Sequence, residues 1–264
     1  MTILEKIIAH KHVEIAERSN RTSLKELEQS EIFEASRASF VNELKRPDKV
    51  GIIAEFKRRS PSKGTINALA DISEIAAGYE KAGASAISVL TDENFFGGSN
   101  DDLTKAFRST ACPILRKDFI IGEYQIVESR AIGASAILLI AAFLSSQEIK
   151  RYAAFAASLE LDVLLEVHDA SEIPEDFANV AMIGVNNRDL RDFSVDINRS
   201  IDVAKHLPEE IVKVSESGLS HAETIIELKK AGFNNFLIGE TFMRTADPAA
   251  SCANFIKSIQ TFER

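Results

Sequence analysis

Short, nearly continuous apolar runs alternate along this chain with longer stretches whose apolar residues recur every three or four positions. The runs predict strands at Val50–Phe56, Ser85–Thr91, Cys112–Lys117, Ser135–Ile140, Asp162–Val167, Val180–Asn186, Ile211–Ser215 and Asn235–Gly239. Continuous apolar runs, rather than strict alternation, are expected of parallel strands covered by helices. The periodic stretches predict those helices. Ile72–Ala82 follows Asp71 and stops at Gly83, and Glu123–Ile132 stops at Gly133. Ser145–Leu159 opens with the capping sequence Ser145-Ser146-Gln147-Glu148, Ala222–Ala231 stops at Gly232, and Pro248–Phe262 places proline at its first position. Ala82-Gly83-Ala84-Ser85-Ala86-Ile87 nearly repeats as Ile132-Gly133-Ala134-Ser135-Ala136-Ile137, each a helix end, a glycine and a strand start. Recurring units of this kind mean βαβ architecture. Eight of them, without a dinucleotide glycine fingerprint, predict an α/β fold of the closed (β/α)8 TIM barrel type.

Two helical stretches, Ile3–Ser19 and Ala35–Leu44, precede the first strand. Residues 1–49 are therefore expected to pack on the barrel as an N-terminal helical extension. No linker rich in Pro, Gly or Ser follows, so residues 1–264 are expected to form one domain. The formal net charge of −9 disfavours nucleic acid as a partner, but it leaves room for a small anionic substrate, because a few local cations can dominate a cleft. Cys112 and Cys252 make neither a disulfide framework nor a metal cluster and are expected to be small core residues. The N-terminus is charged, with no apolar leader, and the longest apolar stretch, Ala136 to Leu144, is too short to span a bilayer. A cytoplasmic protein without a membrane partner is expected.

A barrel of this type carries its active site at the C-terminal ends of the strands. There the chain turns polar. The first strand ends in Glu55 and Lys57, the third in Arg116-Lys117-Asp118, the fifth in Glu166-Val167-His168, the sixth in Asn186-Asn187-Arg188-Asp189, and the seventh in Ser215-Glu216-Ser217-Gly218. Residues two apart on a strand share a face, so Glu55 and Lys57 point the same way. Leu115 pairs likewise with Lys117, Leu164 with Glu166, and Gly184 with Asn186. If the upper member of each pair turns inward, two lysines and two glutamates meet in the mouth, an arrangement suited to proton transfer. A structural ion-pair network is the alternative reading. Ser217-Gly218 and Gly239-Glu240-Thr241 follow the last two strands, where barrels often bind phosphate; plain turn glycines are the alternative. Ser62-Lys63-Gly64 has the wrong order for a P-loop. Phe95-Phe96 at the second strand's rim are candidate aromatic walls for a planar ring. His10, His12, His168, His206 and His221 lack the spacing of metal ligands.

Several segments together resemble the indole-3-glycerol-phosphate synthase family: Ile53-Ala54-Glu55-Phe56-Lys57-Arg58-Arg59-Ser60-Pro61-Ser62-Lys63-Gly64, Ser88-Val89-Leu90-Thr91-Asp92 with Phe95-Phe96-Gly97-Gly98-Ser99, Leu115-Arg116-Lys117-Asp118-Phe119-Ile120, Glu166-Val167-His168, Asn186-Asn187-Arg188-Asp189-Leu190 and Ser215-Glu216-Ser217-Gly218. The likeness covers essentially the whole chain. One departure is Phe56, where a β-branched aliphatic is commoner; it should face the helices. The resemblance implies a carboxy-lyase of tryptophan biosynthesis that needs no cofactor or metal. Its substrate would be 1-(2-carboxyphenylamino)-1-deoxyribulose 5-phosphate, whose ring carbon attacks the C2′ carbonyl, with loss of carbon dioxide and then water. By the same resemblance Lys117 is the general acid, Lys57 and Glu166 supply further acid and base groups, and Glu55 orients Lys57. Asn186 and Ser217 would be hydrogen-bonding members of the site. Ser60 and Arg188 would hold the anthranilate carboxylate or its neighbours, with Phe95 beside the ring. Gly218, Gly239 and Glu240 would bind phosphate through backbone N–H groups, the Glu240 side chain turned away. Lys63 would belong to a loop closing over the mouth. The resemblance allows a weak association with other tryptophan-pathway enzymes.

Overall fold

The computed structural model of the chain describes residues 2–189 and 193–263, so Leu190 of the predicted sixth-strand motif lies outside the described residues. Eight parallel strands close into a barrel: β1 (Ile52–Phe56), β2 (Ala86–Leu90), β3 (Ile114–Lys117), β4 (Ala136–Ile140), β5 (Asp162–Val167), β6 (Met182–Asn186), β7 (Val212–Glu216) and β8 (Asn235–Ile238). Each pairs with its neighbours in sequence, and β1 closes the ring by pairing with both β2 and β8, as in Ile53 opposite Ala86 and Leu237. Side-chain parity then divides the apolar residues in two. Ile53, Leu115, Leu138, Leu164, Met182, Val214 and Leu237 fill the interior, while Ile52, Ala54, Phe56, Ile87 and Val89 face the helices. Phe56 takes the helix-facing side expected for it, with the Arg58 guanidinium 4.8 Å above its ring.

Helices α4 (Ile72–Ala82), α7 (Glu123–Ile132), α8 (Ser146–Ser158), α10 (Ala222–Lys230) and α12 (Pro248–Phe262) lie where the periodicity predicts them. Further helices, unpredicted, complete the alternation: α5 (Glu93–Phe96), α6 (Asn100–Ser109), α9 (Asn198–Ala204) and α11 (Glu240–Met243). No helix among the described residues is long and apolar enough to cross a membrane.

The extension occupies both ends of the barrel. Helix α1 (Ile3–Arg21), started by a Thr2–Glu5 capping box, begins at the C-terminal mouth and runs to α7, and α2 (Leu24–Glu28) follows it. The helix expected over Ala35–Leu44 is confined to α3 (Phe40–Leu44). Its first half is extended because Arg37 takes the carbonyls of Ile32, Phe33 and Ala35, and Ser39 caps the shorter helix instead. The Asp162 carboxylate, at the start of β5, accepts hydrogen bonds from Ser39 Oγ and Val41 N and pins α3 beneath the barrel. Phe40, Val41 and Leu44 press into the interior cluster and close its N-terminal end. Burial of each such side chain stabilises by roughly 1.5–3 kcal/mol.

Candidate active site

The site begins one step above the apolar interior. Two residues on from Ile53, Leu115, Leu164 and Val214 stand Glu55, Lys117, Glu166 and Glu216, so the parity that fills the barrel also turns these four side chains into its mouth. Lys117 is the hub. Its ammonium lies 3.2 Å from Glu166 Oε2 and in close contact with Glu216 Oε2. Asn186 Nδ2 donates to Glu166 Oε1 at 3.2 Å, and Lys57 donates to Glu55 Oε1 at 2.5 Å. Two glycines make room for these carboxylates. A Cβ on Gly184 would lie 2.2 Å from Glu216 Oε1, and one on Gly239 2.4 Å from Glu55 Oε1.

Above the hub opens a cavity of about 610 Å³. Lys57, Ser60, Lys63, Phe96, Arg188, Ser217, Gly218, Gly239 and Glu240 border it, and α1 contributes Ile3, Leu4 and Ile7. The turn after β7 is unusual, with Ser217 at φ 70° and Gly218 at φ 76°. A serine held there stores on the order of 1 kcal/mol of strain. Asn187 keeps the turn in place, its buried amide donating to Ser217 O at 3.2 Å and to Ser215 Oγ at 3.0 Å.

With this geometry in view, comparison with known proteins is decisive. Residues 4–255 match the family model described as indole-3-glycerol phosphate synthase. The chain belongs to the indole-3-glycerol phosphate synthase family. It is 46% identical over 258 residues to the indole-3-glycerol phosphate synthase of Bacteroides thetaiotaomicron, covering 98% of this chain and 99% of that one. It is 44% identical over 243 residues to that of Chlorobium chlorochromatii, covering 91% and 95%. Among solved structures, a Pyrococcus furiosus thiamine phosphate pyrophosphorylase matches with TM-score 0.60 at 13% identity, over 84% of this chain and 98% of that one. A mutant tryptophan synthase alpha-subunit from the same organism gives TM-score 0.58 at 10% identity, over 81% and 98%. These two likenesses concern the barrel fold alone.

In this indole-3-glycerol phosphate synthase family member, most of the predicted site residues border one cavity, with two corrections. Phe96 lines the cavity and Phe95 does not. Asp92 caps α5 through the N–H groups of both residues, and that turn sends the Phe95 ring edge-on to His10, 5.9 Å away. The Glu240 side chain does not turn away. It borders the cavity because three cations surround it: Arg244 in close contact, Arg188 at 3.7 Å and Lys63 at 3.9 Å. Glu216 is not among the expected site residues, although its parity with Val212 and Val214 marks it as inward-facing.

The electrostatics follow from crowding in a buried mouth. Burial pushes the Lys117 ammonium toward neutrality, but Glu216, Glu166 and Glu55 outweigh it and hold its pKa above the ordinary lysine range. Burial likewise raises Glu166, yet Lys117, His168 and Asn186 bring it below the usual carboxylate range. Glu216 goes the other way. Burial, with the charges of Glu166 and Glu55, outweighs Lys117 and pushes it up to about 7. Its Oε1 has no hydrogen-bond partner among the described residues. The mouth thus holds a charged lysine, an ionised glutamate and a carboxyl group whose pKa lies at about 7. Such a spread of environments is how acid and base roles are divided at one pH.

Proposed function

We propose that this chain closes an indole ring, converting 1-(2-carboxyphenylamino)-1-deoxyribulose 5-phosphate into indole-3-glycerol phosphate, carbon dioxide and water. The observation that carries the reading is a buried lysine held between two carboxylates below a cavity whose rim bears further cations. The ring carbon bearing the carboxylate attacks the C2′ carbonyl, and charge develops on the carbonyl oxygen. Lys117 stabilises that oxygen and gives it a proton. The carboxylate leaves as carbon dioxide and its bonding electrons restore the aromatic ring. Loss of water then needs one acid and one base. The Lys57 ammonium, oriented by Glu55, supplies the first, and the Glu166 carboxylate, oriented by Asn186, the second.

Ser217, Gly218, Gly239 and the backbone of Glu240 would take the phosphate, with Lys63 and Arg188 released from the Glu240 carboxylate to face the substrate's anionic groups. Ser60 and Phe96 would flank the anthranilate. The whole chain would act as one functional unit in the cytoplasm, and any association with other tryptophan-pathway enzymes would be weak. The test mixes purified protein with the substrate, without added metal, and follows indole absorbance and fluorescence. The chain contains no Trp, so its own background is low. A rise that scales with enzyme supports the reading; a folded protein that gives none overturns it.

A further inference from the structure

The chemistry above leaves the buried cations outside the mouth unused, and one of them belongs to the N-terminal extension. Lys11, midway along α1, is fully buried, whereas a lysine on a peripheral helix ordinarily keeps its ammonium in water. That ammonium lies 2.9 Å from Asp92 Oδ2, 2.9 Å from Asp118 Oδ1 and 3.0 Å from Glu14 Oε2. Both aspartate side chains are fully buried too. Removing three charges from water is costly unless the geometry repays it, so simple docking of α1 through apolar contacts would have been the cheaper arrangement.

The partners indicate what is gained. Asp118 immediately follows Lys117, and its carboxylate also receives Thr91 Oγ1 at 2.7 Å, the Phe119 N–H at 2.8 Å and Arg116 at 3.1 Å. Asp92 receives the Phe95 and Phe96 N–H groups at 2.7 and 3.2 Å. Phe96 and Phe119 both line the cavity, with ring centroids 6.0 Å apart. One ammonium therefore ties the strand end that presents Lys117 to the turn that presents an aromatic wall. A second strap runs alongside, from Arg18 of α1 through Glu128 to Arg116.

We infer that Lys11 is a positioning residue of the active site, using its joint grip on Asp118 and Asp92 to fix Lys117 and Phe96 relative to each other. The kinetic part of the inference rests on the ring-closing reading; the structural part does not. Two variants test it. Lys11→Met keeps the side-chain length and removes the charge. It strands two buried carboxylates, so Asp92→Asn is made beside it, which keeps the volume and the Lys11–Asp118 pair and is expected to fold whether or not Lys11→Met does.

Well below its melting temperature, Lys11→Met should lose about 10-fold or more in kcat, and its Phe95, Phe96 and Phe119 amides should exchange hydrogen about 10-fold faster than in the wild type. Amides of β5 to β8 should be unaffected. Asp92→Asn should raise KM several-fold, leave kcat within about twofold, and speed exchange at Phe95 and Phe96 but not at Phe119. A lower melting temperature with wild-type kcat, KM and exchange at these amides, in whichever variant folds, would reduce Lys11 to a purely structural residue and overturn the inference. Should the wild type itself fail to turn over the substrate, the ring-closing reading falls, and the exchange pattern alone decides whether Lys11 positions these segments.

Discussion

Gly184→Ala adds one methyl group to the floor of the site and nothing else. Gly184 lies in β6, opposite Glu166 on one side and Val214 on the other. The new Cβ would fall 2.2 Å from Glu216 Oε1, and 3.3 Å from Glu216 Cδ and Leu164 Cδ1. Comfortable non-bonded contact begins near 3.5 Å, so the carboxylate must retreat by about 1 Å. It has little freedom to do so, because its other oxygen holds Lys117, which is in turn held by Glu166. Overpacking of this kind costs about 1–3 kcal/mol. At about 2–4 °C per kcal/mol for a chain of this size, the melting temperature should fall by roughly 2–12 °C. A displacement of about 1 Å at a proton donor lowers turnover by about 10²-fold. Thermal melts and steady-state indole formation measure the two effects separately. Shortening the crowded side chain in the double variant Gly184→Ala/Glu216→Asp should return part of the lost stability. Wild-type melting and turnover in the single variant, or no relief in the double one, would refute the claim that Gly184 is glycine in order to seat Glu216.

Three further outcomes are expected. The Glu216 pKa is raised from 4.5 to about 7 on folding. Between those values the folded chain keeps a proton that the unfolded chain has released, so this group's contribution to stability falls as pH climbs through that window. The melting temperature of Glu216→Gln minus that of the wild type should therefore grow from pH 5 to pH 8, and a constant difference would contradict the assignment. Lys117→Ala should keep a native circular dichroism spectrum and lose about 10²–10⁴-fold or more in kcat; an intact rate would remove Lys117 as the acid. Inorganic phosphate should raise the melting temperature, by an amount corresponding to about 2.7 kcal/mol at 100 times its Kd. Glu240→Gln, which frees Lys63 and Arg188 from a competing carboxylate, should move that response to lower phosphate concentrations, and an unchanged titration would argue against shared cations.

Much of this was legible because strands carry their own period. The runs ending in Glu55, Lys117, Glu166 and Asn186 mark both the barrel and which side chains enter its mouth, since the first three stand two beyond an apolar residue that fills the interior and Asn186 stands two beyond Gly184. The same rule reaches Glu216 through Val212 and Val214. Helix α6 is also legible, from its Ser99 cap and from Leu103, Ala106 and Phe107 at helical spacing, although it is not among the expected helices. The shortening of the predicted Ala35–Leu44 helix depends on Arg37 donating to nearby carbonyls, a choice that helix propensity does not encode. Phe95 and Phe96 are adjacent, and only the cap supplied by Asp92 decides which ring faces the cavity. The burial of Lys11 is long-range. It shares a helix face with Ile7, four residues earlier, but its partners lie some 80 and 107 positions further along the chain.

The plug formed by Phe40, Val41 and Leu44 has a consequence for traffic. With the N-terminal end stoppered, the barrel is a cul-de-sac, and whatever reaches Lys117 comes and goes by one doorway. Indole-3-glycerol phosphate must leave along the route by which the next substrate arrives. Exit and entry then exclude one another, so product inhibition should be strictly competitive, and departure of the product would set the ceiling on how quickly the next cycle can start.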